Sequence, residues 1–123
     1  MARSSLPRAV AAEFLGTLVF QLLGGSTDYA PFNGIILAVV IYMTAATSGG
    51  VVNPAVAACL LAVGELSLGK FAAYVAAQLS GAVAGALIAA VADPDAPGER
   101  RGRVKVAALP GPRLASTGSS GCI

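Results

Sequence analysis

The stretch "SGGVVNPAVAA", Ser48 to Ala58, interrupts a chain that is otherwise strongly apolar. It brings two glycines and a proline close together, and these residues fit least well inside a helix. In a membrane, non-helical backbone is tolerated only where it is buried in protein or lines a wet cavity, because each unpaired backbone group is costly in lipid. The stretch therefore predicts a buried break in a membrane-embedded helical chain.

The composition is that of a membrane protein. Of the 123 residues, 56% are hydrophobic and 11% are charged, whereas about 25% of the residues of a soluble domain are charged. The few charges gather toward the two ends of the chain. These values exclude an ordinary soluble enzyme and predict one multi-pass membrane domain, without indicating which membrane holds it.

Residues for catalysis or metal binding are scarce. The chain contains no His, and its two cysteines, Cys59 and Cys122, are far apart. A disulfide between them stays open, although scattered cysteines are more often free thiols. The sequence shows no nucleophile–base pair, and its net charge of +2 lies at the ends rather than among aromatic residues. We therefore expect no enzyme, no cofactor, no metal and no nucleic-acid partner.

The N-terminal segment, residues 1–20, allows two interpretations. Its basic start, apolar run and small residues are typical of a signal peptide. However, Glu13 lies within the apolar run, and no A-x-A-like cleavage site follows it. We predict a retained first helix.

Four apolar runs follow one another, three long and one short. The short run, Pro54 to Val63, cannot span a bilayer, because a spanning helix takes about 20 residues. We predict a re-entrant helix there, within a membrane domain of residues 1–92, and we assign Pro31 to the turn after the first helix. Residues 93–123, rich in Pro, Gly, Arg and Ser, are predicted to form a disordered basic tail. The predicted helices cover residues 9–24, 32–47, 54–63 and 70–92.

The residues that precede the short helix have the chemistry of a pore lining. Pro54 suits the first helical position, and Asn53 suits the N-cap, where its oxygen caps the helix and its NH2 group can face outward. The preceding carbonyl groups form a row of acceptors, and the helix N-terminus carries a partial positive charge of about half a unit. This arrangement suits a small neutral polar molecule and opposes cations. The non-helical residues are Gly49, Gly50, Val51 and Val52.

Two glycines in the last apolar run, Gly81 and Gly85, lie four residues apart among alanines. Such spacing lets helices approach closely. Two uses stay open, a seam between helices of this chain and a dimer interface. We predict the seam, because helices of a bundle need such contacts, and Gly16 in the first helix suits the same close packing.

Four segments resemble the aquaporin, or major intrinsic protein, family, and they occur in that family's order. An Asn-Pro-Ala triplet alone would be a weak signal, whereas four ordered segments are specific. The resemblance implies an all-α integral membrane protein, an aquaporin-like half-fold with three transmembrane helices and one re-entrant half-helix. It also implies facilitated passage of water or a small neutral solute. The segments are "AEFLGTLVF" at 12–20, "IYMTAATSGG" at 41–50, "SGGVVNPAVA" at 48–57 and "YVAAQLSGAVAGA" at 74–86.

The resemblance also implies roles for individual residues. Asn53, Pro54 and Ala55 correspond to the family's first pore motif. Glu13 corresponds to a buried glutamate whose carboxylate holds the backbone N–H groups of the loop; the alternative is a charge on a helix face near the interface. Asn33 corresponds to a selectivity position of the second helix, and the alternative is an ordinary loop residue.

The chain also departs from the family's pattern. Val51 stands where the family often has His, and Asn33 stands where an aromatic residue is common, which puts strict water selectivity in doubt. The family has six spanning helices and two such loops, whereas this sequence shows three and one. Residues 93–123 resemble nothing in the family's next helix. A truncation, a frameshift and an alternative transcript end are equally compatible with this pattern.

Half of the family's fold supplies only one wall of a pore. We therefore expect a channel that is incomplete as a monomer, and a homo- or hetero-oligomer with aquaporin-type chains in contact with membrane lipid. The alternative is a non-conducting interaction protein that modulates full-length aquaporins. By resemblance the N-terminus is cytoplasmic and the basic tail lies outside, whereas the positive-inside rule favours the opposite orientation.

Overall fold

The structure, a computed structural model, describes residues 5–25 and 29–92. These residues form four helices and, within the described ranges, no strand. Three of the helices are long and apolar enough to cross a membrane, and the third in chain order, with nine residues, is not. The predicted all-α half-fold with three spanning helices and one short helix is confirmed. The helices are α1 (Leu6–Gly24), α2 (Ala30–Ser48), α3 (Pro54–Ala62) and α4 (Leu68–Ala92).

The spanning helices begin earlier than the sequence predicts. Pro31 lies in the first turn of α2, not in the preceding turn, and Pro7 lies in the first turn of α1. A proline is tolerated there because the first N–H groups of a helix have no intrahelical acceptor to lose. The predicted tail, residues 93–123, lies outside the described residues.

Helix α1 is the central element, since it packs against α4 on one side and α2 on the other. A Cβ atom added at Gly85 would lie 2.5 Å from the carbonyl oxygen of Leu18, and one added at Gly81 would overlap the backbone of Phe14. These two glycines therefore form a seam between α1 and α4, as predicted, and not a dimer interface.

The loop between α2 and α3 contributes to both apolar clusters of the interior. Val51 packs in one cluster and Val52 in the other, so the loop is fixed from two sides. Gly16 of α1 makes room for it, because a Cβ atom there would lie 2.7 Å from a methyl group of Val52. The buried members of the first cluster are Ala9, Val51, Ala57, Leu66 and Tyr74, and those of the second are Ile36, Val40 and Val52.

Candidate pore half-site

The helix break is built from backbone in the left-handed region. Helix α2 ends at Ser48, and Gly49, with φ 99°, donates its N–H to the carbonyl of Ala45 over 3.1 Å. Gly50 follows with φ 65°. Both positions favour glycine, because a Cβ atom is disfavoured at such φ values. The two glycines thus explain why the chain leaves the helix at this point.

Val52 adopts a left-handed backbone although it is β-branched. Its φ is 38°, and such a conformation costs a non-glycine residue about 1–3 kcal/mol. Two contacts hold it in place: its side chain is buried between helices, and its N–H donates to a carboxylate oxygen of Glu13 over 2.6 Å. The residue before Asn53 is therefore fixed in an otherwise unfavourable geometry.

Asn53 caps helix α3, as predicted. Its Oδ1 atom accepts a hydrogen bond from the N–H of Ala55 over 2.8 Å, and its carbonyl accepts one from Ala57 over 3.0 Å. Pro54 occupies the first turn. The Asn53 side chain is exposed, and within the described part of the chain its amide nitrogen donates no hydrogen bond. The cap therefore leaves a donor available at the N-terminus of a nine-residue helix.

The carboxylate of Glu13 holds the loop from the side of α1. It is fully buried and accepts hydrogen bonds from the N–H groups of Val51, over 3.1 Å, and of Val52. The contact predicted between Glu13 and the loop backbone is present, whereas a position on the helix surface is not found. A buried carboxylate is stable only with such partners.

Three further polar residues belong to this cluster, and sequence reasoning assigned them no role. The Ser48 hydroxyl donates to Glu13 Oε1 over 2.5 Å, and the Gln78 amide donates to Oε2 over 2.7 Å. The Tyr74 hydroxyl donates to the Ser48 carbonyl over 2.7 Å. A signal was available: Tyr74 and Gln78 are polar, lie four residues apart on one face, and interrupt an apolar spanning helix.

The predicted pore residues divide into two groups. The side chains of Val51 and Val52 are buried, as is Gly50, so these residues could face a solute only through their backbone. Gly49, Asn53 and Ala55 are exposed. The loop and the start of α3 together form what we call the half-site. Its exposed surface consists of Gly49, the first residue of the loop, and the start of α3.

Asn33 lies against α1. A Cβ atom added at Gly24 would lie 2.7 Å from the Asn33 side-chain oxygen, so this side chain packs at the seam between α1 and α2. The loop residue Val52 meets α1 at Gly16, eight residues before Gly24, so this contact does not place Asn33 at the loop. The structure therefore gives Asn33 a packing contact with α1, and its selectivity role stays a prediction.

The described residues contain no group of three or more His, Cys, Asp or Glu side chains that could hold a metal ion. The chemistry of the half-site is instead that of hydrogen-bond donors and a helix end. The N-terminus of α3 carries a partial positive charge, and Glu13 is buried on the other side of the loop. The exposed side therefore presents donors, while the negative charge is enclosed.

Comparison with known proteins identifies a family. Residues 25–111 match the family described as MIP, major intrinsic protein. The chain is 39% identical over 95 residues to lens fiber major intrinsic protein of Gallus gallus, covering 68% of this chain and 36% of that protein. It is 42% identical over 93 residues to the protein of the same name from Lithobates pipiens, covering 66% of this chain and 35% of that protein. It is 35% identical over 95 residues to Aquaporin-4 of Mus musculus, covering 64% of this chain and 29% of that protein.

The chain thus spans about a third of the length of the curated relatives it matches. No solved structure matches it. The family match begins after α1 and includes residues 93–111, which the sequence analysis set apart as resembling nothing in the family's next helix. A match over most of the sequence, together with the helical half-fold, leads to one conclusion: the chain belongs to the major intrinsic protein family.

Proposed function

We propose that the chain forms one wall of a membrane pore for water or another small neutral solute. The observation that carries the proposal is the exposed amide of Asn53 at the N-terminus of a short helix, fixed in place through the loop by Glu13. Family membership supports the coarser statement that the chain is channel-like, and proteins of this family are channels rather than enzymes.

The chemistry of this end of α3 favours a neutral solute. The Asn53 amide and exposed backbone groups can form hydrogen bonds with a passing molecule. These hydrogen bonds replace those that the molecule makes in bulk water. The partial positive charge of the helix N-terminus repels cations. Exclusion of cations would then need no charged side chain at the N-terminus of α3.

The described residues supply one wall of such a pore, and we propose that a second copy of the chain supplies the other. Helix α3 packs against α4, and of its nine residues only Ala57 is buried. In several transporter folds, two halves inserted in opposite directions enclose a site near the middle of the membrane. A second copy in the opposite orientation would place two Asn53 residues tip to tip, and a full-length relative is the alternative source of the second wall.

The half-fold formed by the described residues suggests a second candidate function. Such a half-fold could pair with full-length members of the family and alter their assembly. In that case the chain would conduct nothing itself. Its effect would be visible only where a full-length aquaporin is present.

Osmotic shrinkage of vesicles that hold only this chain tests the proposal. Water permeability should rise with the square of the protein density if pairs conduct, because the number of pairs grows that way when pairing is weak. Flux proportional to density, at densities where crosslinking shows the chain to be monomeric, would show conducting monomers and contradict the paired wall. If no flux appears at any density while the chain reduces the flux of a co-reconstituted full-length aquaporin, the second candidate function replaces the first.

A further inference from the structure

A groove runs along the outer surface between α1 and α4. Its volume is about 770 Å³, which lies within the usual range of ligand pockets. Phe14 meets Gly81 and Leu18 meets Gly85, so the two helices run in the same direction. The groove opens outward, because most of its lining residues are exposed or only partly buried. Residues that line it are Pro7, Ala11 and Leu15 of α1 and Ala73, Ala76 and Ser80 of α4.

The groove has the length of one leaflet of a bilayer. It begins at Pro7, in the first turn of α1, and ends at Leu15, in the middle of that helix. Eight residues along a helix rise about 12 Å, and half of the hydrocarbon core of a bilayer is about 15 Å thick. The groove therefore runs from one membrane surface to the middle of the membrane, where the seam between α1 and α4 closes it.

The lining of the groove suits an apolar occupant. Ser80 carries the only polar side chain of the lining, and its hydroxyl donates to the carbonyl of Ala76 over 2.8 Å. Both helices are long and apolar enough to cross a membrane, so lipid chains surround them, and an empty groove would forfeit packing contacts. An acyl chain of one leaflet has the length and the chemistry to fill it.

Two cations lie at the outer end of the groove. They are Arg8 and Lys70, the only Lys or Arg side chains of the described residues. Arg8 precedes Ala11 of the lining by three residues, and Lys70 precedes Ala73 by three. Residues three apart in a helix share a face, so each cation lies one turn beyond the lining of its own helix. Helical side chains lean toward the N-terminus, which takes both charges to the depth of the lipid phosphates.

Both cations are available to an anion. Neither forms an ion pair with Glu13 or Glu65, the carboxylates of the described residues. The Lys70 ammonium lies over the Tyr74 ring, 5.2 Å from its centroid. Such a contact holds a cation in place without a counter-charge. The outer end of the groove therefore carries uncompensated positive charge, which complements an anionic headgroup.

We propose that this groove binds one anionic phospholipid, with an acyl chain between α1 and α4 and the phosphate held by Arg8 and Lys70. Any phospholipid can supply the chain, whereas the two cations select a headgroup with net negative charge. The site uses no residue of the loop or of α3, so it does not depend on the proposed pore.

Native mass spectrometry of the full chain tests the headgroup. The chain is released from detergent that holds equal amounts of phosphatidylglycerol and phosphatidylcholine with the same acyl chains. It should retain one phosphatidylglycerol in preference. Arg8→Gln and Lys70→Gln should each lower that preference about fivefold, which is the contribution of one basic residue near an anionic membrane surface. Equal retention of the two lipids by the parent chain, or a preference that neither substitution changes, would overturn the proposal.

A filled groove separates this site from simple attraction to the membrane surface. Ala76→Leu places a larger side chain in the groove and keeps both cations. Retention of phosphatidylglycerol should fall about threefold or more, since association in an apolar medium depends on packing. Ala90→Leu, at an exposed site of α4 outside the groove, should retain lipid as the parent does.

Equal retention by the Ala76→Leu and Ala90→Leu chains would overturn the proposal. An Ala76→Leu chain that keeps its lipid and loses only its contact with a second copy would overturn it too, since the groove would then be an interface between chains.

Discussion

At the scale of single residues, the loop depends on one buried carboxylate. Glu13 accepts hydrogen bonds from Ser48, Val51, Val52 and Gln78. Hydrogen bonds to a charged group are stronger than those between neutral groups. A buried donor that loses its acceptor costs about 1–3 kcal/mol. One side chain therefore stabilises backbone that no helix or sheet supports.

Glu13→Ala should accordingly unfold or loosen the loop. The N–H groups of Val51 and Val52 and the amide of Gln78 would lose their acceptor at once, whereas the Ser48 hydroxyl also bonds to the Thr44 carbonyl. We therefore expect a loss on the order of 3 kcal/mol or more in the free energy of unfolding. Thermal unfolding of the chain in detergent, followed by far-UV circular dichroism, measures this. The control is Glu65→Ala, an exposed position, where the change should stay within about 0.5 kcal/mol. Equal effects of the two substitutions would contradict the role given to Glu13.

Sequence reasoning predicted Glu13 and Asn53 because each is a polar residue in an apolar setting, where it needs a partner or a function. It did not find that Ser48, Tyr74 and Gln78 complete the cluster. Their partners lie 26 to 65 residues away in sequence, so the contacts exist only once the helices have packed. Pro31 was misplaced because a proline fits a turn and a first helical turn equally well.

At the scale of elements, the α1–α4 seam sets the position of Glu13 relative to the loop. Gly81 lies so close to α1 that any side chain would meet the backbone of Phe14. A backbone cannot move aside as a flexible side chain can, so a substitution there forces the two helices apart. The glycine spacing predicted close helix packing at this face of α4. The sequence did not show that α1 is the helix that packs there.

Two Gly→Ala substitutions in the same helix should have opposite effects. Gly81→Ala should destabilise the chain by about 2 kcal/mol or more, because overpacking against a fixed backbone is costly. Gly69→Ala should stabilise it by about 0.5–1 kcal/mol, because nothing lies near its added methyl group and alanine favours the helix. Thermal unfolding of both variants measures the difference. A Gly81→Ala chain as stable as the Gly69→Ala chain would show that the seam is looser than described.

At the scale of the whole molecule, most large apolar side chains of the described residues are exposed or only partly buried. Exposed examples are Ile35, Met43, Leu79, Val83 and Leu87. Lipid can cover such residues, but it cannot satisfy the exposed donor of Asn53. Composition predicted the membrane setting, while the exposed side of α3 followed only from how α3 packs against α4.

If the second wall is an inverted copy, both orientations must occur in one membrane. In a background without Cys59 and Cys122, Glu65→Cys places one thiol in the turn before α4, at an exposed site. A membrane-impermeant thiol reagent added outside intact cells should then label about half of the molecules. Labelling of all or none of them would exclude inverted pairs as the source of the second wall.

The proposed pore requires the N-terminus of α3 to face water inside the membrane. Single cysteines in vesicles test this, because the thiolate that attacks a small polar thiol reagent forms only where water is present. Ala55→Cys should react at high protein density. Two controls should not react: Leu79→Cys, exposed on α4, and Ala57→Cys, buried in the chain. If Ala55→Cys is as unreactive as Leu79→Cys at every density, the start of α3 is dry and the chain provides no wall of a pore.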